Sequence, residues 1–181
     1  MIRYVQNSQD PAWPKLLAYF KSEFPPETRE PDEELIAEVD DKSRLDTRYL
    51  IWEEAGEFAG FVRFAVLQET KAKFIYHIAV VPSFRRRAIG LELLLAVLGQ
   101  YIELPTLAEV DPEGLDGFWQ NADVLSASYT QPALRPDTPP MPFHLIVLGQ
   151  VFCRREAIAS FYREVWQLPA DHPFVVKAVK G

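Results

Sequence analysis

Cysteine is almost absent: Cys153 is the only one in 181 residues. No intrachain disulfide can form, and a lone cysteine is more often a small core hydrophobe than a nucleophile, so Cys153 is expected to be buried and inert. The three histidines, His77, His144 and His172, are scattered, and no His/Cys/carboxylate spacing suggests a metal site, so no metal is expected. The longest apolar run, residues 93–98, is too short to cross a bilayer. The opening M-I-R-Y-V-Q-N-S-Q-D lacks the basic segment and apolar run of a signal peptide, so a cytoplasmic protein without a membrane partner is expected. Positive charge is also scarce. With 19 Lys and Arg against 26 Asp and Glu, the net charge is -7, which argues against a nucleic-acid partner and suits an amine or other cationic one.

Apolar residues are spread along the whole chain, and its length suits one ordered domain that buries its own core. Residues 2–5 read as a short strand, and Asp10 before Pro11 reads as the cap of a helix. In that helix Trp13, Leu16, Leu17, Phe20 and Phe24 recur at helical spacing. Pro31 opens a second helix in which Leu35, Ile36 and Val39 should face inward while Asp32, Glu33, Glu34 and Glu38 stay wet. Strands at 48–53 and 58–67 flank Glu54-Ala55-Gly56-Glu57 as an antiparallel hairpin, and residues 68–71 make the next turn. The run F-I-Y-H-I-A-V-V at 74–81 is continuously apolar or β-branched, which marks a strand covered on both faces and central in its sheet. A helix over 89–101 follows, with Leu91, Leu94, Leu95 and Leu98 on one side. Strands are expected at 106–110, 124–134 and 143–148, and a last helix carries Ile158, Phe161, Tyr162 and Val165. The fold class is therefore α/β.

The chemistry is concentrated in I-A-V-V-P-S-F-R-R-R-A-I-G-L-E-L-L-L, residues 78–95, where the central strand ends in a basic turn that opens directly into a helix. The first amides of a helix lack internal partners and sit at the positive end of its dipole, so together they can hold a diphosphate. Arg85, Ala88 and Gly90 fall in the pattern Q/R-x-x-G-x-G/A, and on these residues the segment resembles the pyrophosphate-binding turn of the GNAT superfamily of N-acyltransferases. Resemblance is strongest over residues 61–98. It implies a mixed, mostly antiparallel central sheet flanked by helices, one GNAT-like domain over 1–181, and acetyl-CoA or another acyl-CoA as co-substrate. It also implies a cofactor site made by Ile78, Ala79 and Val80 of the strand together with Arg85, Arg86, Arg87, Ala88, Ile89, Gly90 and Leu91. Ala88 replaces the first glycine of the pattern and narrows the backbone conformations open to it. The other reading of the three arginines is a solvated basic turn.

The resemblance further implies N-acetyl transfer by direct attack of an amine in a ternary complex, with a backbone amide near Val80 polarising the thioester. Where many relatives carry a glutamate base, this chain has Tyr76, with His77 beside it. His77 is a candidate base, or else a packed core ring, and neighbours in a regular strand face opposite ways. Glu109, on a strand whose end is expected to flank the same cleft, is the next candidate, as base or amine-binding carboxylate, against a plain surface acid. The family's tyrosine acid has no counterpart, because F-W-Q-N-A-D-V occupies that region and Trp119 has no proton to give. Tyr129 and Tyr162 are unassigned alternatives.

The acceptor is expected to be a small-molecule or peptide amine, walled by residues 24–31 and 135–142, and a homodimer is expected by analogy only. The competing function is an acyl-CoA-binding module without efficient chemistry. A nucleotide site has little support, since neither G-x-x-x-x-G-K-[S/T] nor G-x-G-x-x-G occurs.

Overall fold

The computed structural model describes residues 1–41, 45–111, 117–133, 139–151 and 153–180. Seven strands form one mixed, mostly antiparallel sheet flanked by helices: β1 (Ile2–Tyr4), β2 (Asp46–Glu54), β3 (Glu57–Leu67), β4 (Ala72–Val80), β5 (Thr106–Val110), β6 (Asp123–Gln131) and β7 (Met141–Leu148). Their spatial order is β1-β2-β3-β4-β5-β7-β6, so β4 is central, as its unbroken apolar run requires. The helices are α1 (Trp13–Glu23), α2 (Asp32–Asp40), α3 (Ile89–Leu98), α4 (Arg154–Trp166) and α5 (Pro173–Lys180). The chain divides into two compact units, Met1–Ala65 with Ile75–Ile102, and Val66–Phe74 with Glu103–Gly181. Strands β3 and β4 each contribute residues to both.

In the first unit, Trp13, Leu16 and Phe20 of α1 and Leu35 and Val39 of α2 pack with Tyr49, Ile51 and Phe61 of the sheet. The β2–β3 hairpin turns at Ala55 and Gly56, both at positive φ, the conformation a two-residue hairpin needs. Gly60 is there for contact: a Cβ on it would stand 2.7 Å from the carbonyl oxygen of Ala79. Asp10 lies two residues before the capping position, contrary to the role expected of it. The residue before α1 is Ala12, while the Asp10 carboxylate accepts the Ala12 amide at 2.9 Å and an Arg3 guanidinium nitrogen at 2.7 Å.

Three expectations about helix faces are corrected. Ile36 is 38% exposed, and Glu38 turns inward to a buried arginine. On α3 the core face is Ile89, Leu93, Leu94 and Val97, whereas Leu91 and Leu95 lie in solvent, because the spacing of four leucines in a nearly all-apolar helix does not fix which stripe is buried.

In the second unit β5 and β6 pair antiparallel with the two edges of β7, placing Glu109 opposite Leu145 and Tyr129 opposite Phe143. Phe161 of α4 packs edge-on against Phe74 at 4.8 Å. Cys153 precedes α4 and is exposed, contrary to the burial expected of it. Helix α5 was missing from the sequence reading, though Pro173 marks its first residue and the Nδ1 of His172 accepts the Phe174 amide at 3.2 Å. Of the loop expected to wall the substrate at 135–142, residues 135–138 lie outside the described residues, and Met141 already belongs to β7.

Candidate functional site

Strand β4 ends at Val80, a single 3-10 turn spans Pro82–Phe84, and α3 begins at Ile89. Between them Arg86 (φ 64) and Ala88 (φ 60) both adopt the left-handed conformation. Turn conformations of this kind can direct successive amides toward one point, which suits an anion. No side chain caps α3, so the amides of its first turn remain available to a ligand. Ala88 therefore takes the geometry that glycine favours, at a cost of about 1 kcal/mol.

The side chains of the turn are partly committed. Arg85 Nε donates to the Val80 carbonyl at 2.8 Å and its Nη2 to Glu23 at 2.5 Å. Arg87 donates to Glu54 at 2.8 Å and lies over the Phe84 ring. Arg86 is exposed and makes no ion pair among the described residues. In β4, Ala79 is buried, while Ile78 and Val80 are half-buried; Ile89 faces the core, Gly90 is half-buried and Leu91 is exposed.

Further back along β4, Tyr76 and His77 surround an arginine that the sequence reading passed over. Arg63 of β3 is only 2% exposed. Its Nε and Nη2 donate to the two oxygens of Glu38 at 2.9 and 2.6 Å, and its Nη1 donates to Glu30 at 2.8 Å. The Tyr49 hydroxyl also donates to Glu38 at 2.8 Å. Burial raises the proton affinity of Glu30, but the charge of Arg63 outweighs it and holds the carboxyl below its ordinary value.

The guanidinium also stacks on the Tyr76 ring, 4.2 Å from its centroid, and approaches His77 Nδ1 at 3.5 Å. Both side chains thus reach one group, although neighbours in a regular strand alternate. His77 Nε2 faces the Thr28 carbonyl at 3.5 Å, and the ring sits edge-on between Phe20 and Phe24. Burial, reinforced by the Arg63 charge, pushes its pKa down to about 4. A carbonyl on one side and a guanidinium on the other define a neutral imidazole with its proton on Nε2. The signal for this cluster was a lone arginine inside F-A-G-F-V-R-F-A-V-L, since a buried cation requires acidic partners.

In the second unit Glu109 is half-buried, and neutral donors are among its partners. The Tyr129 hydroxyl makes a short hydrogen bond to Glu109 Oε1, Gln131 Nε2 donates to Oε2 at 2.6 Å, and Trp166 Nε1 donates to the Tyr129 hydroxyl oxygen at 2.7 Å. Burial, then the charge of Glu109, pushes the Tyr129 hydroxyl well above its ordinary range, so it remains a proton donor in the hydrogen bond. Tyr162 donates to the Thr130 carbonyl at 3.0 Å and stacks on Tyr129. Gln131 and Trp166 lay outside the sequence reading, and their separation along the chain offers no local signal.

The acetyltransferase (GNAT) family profile matches residues 13–112, which include β2 to β5 and the turn between β4 and α3. The chain belongs to the GNAT family of acetyltransferases. No curated protein matches it in sequence. Among solved structures, a GNAT-family protein from Bacteroides thetaiotaomicron is similar over 93% of this chain and 99% of its own, at 18% identity and TM-score 0.78. Arabidopsis thaliana Naa50, solved with the bisubstrate analogue CoA-Ac-MVNAL, covers 82% of this chain and 99% of its own, at 15% identity and TM-score 0.58. The yncA protein from Salmonella typhimurium, solved with acetyl-CoA, covers 84% and 98%, at 12% identity and TM-score 0.56. These likenesses establish the GNAT fold.

As a GNAT turn, the segment from Val80 to Leu91 fits a diphosphate ligand: no side chain caps its helix, Arg86 and Ala88 are left-handed, and Arg85 and Arg87 pair with carboxylates that are partly exposed. Among the described residues no group of His, Cys, Asp and Glu could hold a metal ion, and no helix is long and apolar enough to cross a membrane.

Proposed function

We propose that this GNAT chain, acting as one domain, binds acetyl-CoA and transfers its acetyl group to the amine of a small molecule or peptide. The observation that carries the reading is the uncapped, left-handed turn at Arg86 and Ala88 opening α3. The amides of Ala88, Ile89, Gly90 and Leu91 would hold the diphosphate, with Arg85, Arg86 and Arg87 around it and the β4 backbone at Ile78, Ala79 and Val80 beside the pantetheine arm. Arg85 and Arg87 each exchange a solvent-facing carboxylate for phosphate, a modest cost because exposed ion pairs contribute little.

Acetyl-CoA supplies an activated thioester. The acceptor nitrogen attacks its carbonyl carbon, the C–S bond breaks, the sulfur leaves as thiolate, and the amine gives up one proton. Glu109 is the candidate that binds the amine or takes that proton. Tyr76 and His77 are candidates on the acceptor side, the Nε2 proton of His77 facing the Thr28 carbonyl in the ligand-free chain. A cytoplasmic location and a homodimer belong to the same reading, and light scattering on the same sample tests the homodimer.

Calorimetric titration with acetyl-CoA tests the cofactor site. Saturable binding is expected, and it should be lost when Gly90→Glu sets a carboxylate in the turn. A wild-type protein that takes no acetyl-CoA would remove the proposal.

A second reading, an acyl-CoA-binding module with little turnover, draws support from His77, whose pKa near 4 makes it a weak base at neutral pH. Thiol release across an amine panel separates the two. Activity that collapses in the His77→Ala, Glu109→Ala double variant favours the enzyme, and tight binding without turnover in either protein favours the module.

A further inference from the structure

Two kinds of polar contact fasten the end of α1 and the segment after it to the strands and turn beneath. The inner contacts are buried: Arg63 donates to Glu30 at 2.8 Å, His77 faces the Thr28 carbonyl at 3.5 Å, and the rings of Phe20 and Phe24 close on the His77 ring. The outer contact centres on an ion pair. Glu23, the last residue of α1, accepts from Arg85 Nη2 at 2.5 Å and from the Tyr19 hydroxyl at 3.2 Å, and Tyr19 packs edge-on against Phe58 and Phe61.

The two kinds differ in what can break them. Arg63 is 2% exposed, so losing its carboxylates would leave a buried charge unpaired. The side chains of Arg85 and Glu23 are 48% and 33% exposed, and a pair so open to water contributes little. Arg85 also belongs to the turn read as the diphosphate site. A diphosphate carries more negative charge than one carboxylate and matches the planar fork of a guanidinium equally well. Glu23 is the weaker of two anions that compete for one arginine.

We infer that Glu23 is a positioning residue that couples the cofactor turn to the acceptor side: Arg85 holds either Glu23 or the diphosphate of acetyl-CoA, and the exchange frees the end of α1 from the turn. The inference rests on the reading of residues 80–91 as the diphosphate site. Residues 24–31, expected to wall the acceptor, begin directly after Glu23. Their inner contacts to Arg63 and His77 take no part in the exchange, and neither does the Lys21–Asp32 pair that joins α1 to α2. Only the end of the wall that adjoins the turn responds to the cofactor.

Acetyl-CoA affinity is measured by calorimetry in the wild-type protein, Glu23→Gln, Arg85→Met and the double variant. Glu23→Gln is expected to tighten acetyl-CoA about threefold, the scale of an exposed ion pair, and to have no effect in the Arg85→Met background. A gain that persists in that background would be the general effect of removing a negative charge, and would overturn the inference. Hydrogen exchange gives a second readout that needs no variant. Acetyl-CoA should speed exchange of the amides of residues 21–24 by about two- to fivefold, and the free Glu23→Gln protein should already exchange at the faster rate. Slowed or unchanged exchange at those amides on binding would also overturn it. A wild-type protein that takes no acetyl-CoA removes the diphosphate reading and this inference with it, whereas binding with independent effects of the two substitutions removes the inference alone.

Discussion

The Nδ1 atom of His77 stands 3.5 Å from a guanidinium nitrogen of Arg63, so the lone pair of the neutral imidazole faces a cation. Protonating that nitrogen would set two positive charges together inside an aromatic enclosure. The unfolded chain binds a proton at His77 near pH 6.5 and the folded chain only near pH 4, so between these values the unfolded state carries more protons. Stability is therefore complete above about pH 6.5 and declines as the pH falls toward 4, by about 3 kcal/mol in total for this group. Urea denaturation at stepped pH checks it. His77→Gln, which keeps a donor and an acceptor without a titrating ring, should flatten that part of the profile.

Gly60 supports a different claim, that β3 and β4 approach too closely for any side chain. The nearest atom to an added Cβ is backbone, the Ala79 carbonyl oxygen at 2.7 Å, and cannot swing away. Gly60→Ala is expected to destabilise the fold by about 1–3 kcal/mol through overpacking. Because the strain falls on Ala79 and Val80, acetyl-CoA affinity should fall with it, whereas Gly56→Ala, with open space around its Cβ, should cost stability through its positive φ and leave acetyl-CoA affinity alone.

The elements that position the turn were legible because their signals are local. Apolar continuity marked β4 as central, Pro82 ended it, and Arg85, Ala88 and Gly90 lay in register over a few residues. The polar clusters were illegible for the opposite reason. Glu38 looks like one more wet acid on an acid-rich helix until Arg63, on a distant strand, is known to be buried beside it. Glu109, Tyr129, Gln131 and Trp166 meet across three elements, and nothing in their spacing announces a hydrogen-bond network. Helix faces failed where composition carried no contrast, as with the leucines of α3.

Ala88, like Arg86, holds a left-handed backbone in the turn that is costly for a residue with a Cβ. At φ 60 and ψ 3, glycine would remove the clash of Cβ with the backbone while adding entropy to the unfolded chain. The steric term is larger, so Ala88→Gly is expected to stabilise the protein by about 0.5–1 kcal/mol, seen as a rise in melting temperature. Acetyl-CoA binding should be retained, since the amides keep their directions.

Glu164 of α4 sits far from these side chains in role. Its carboxylate accepts three successive amides of the β3–β4 turn, Gln68 at 2.5 Å, Glu69 at 3.1 Å and Thr70 at 2.7 Å, while Arg163 beside it pairs with Glu69. An anion in a nest of backbone donors makes charge-assisted bonds of about 1.5–3 kcal/mol each in favourable settings, less where solvent competes as it does here. Glu164→Gln keeps the shape but halves the acceptor capacity and removes the charge. We expect a loss of about 2 kcal/mol in chemical denaturation, with the amides of residues 68–70 exchanging faster with solvent and the acetyl-CoA affinity unchanged. Unaltered exchange at those three amides would mean that the turn holds itself, and that α4 packs within its unit through Phe161, Tyr162 and Val165 alone.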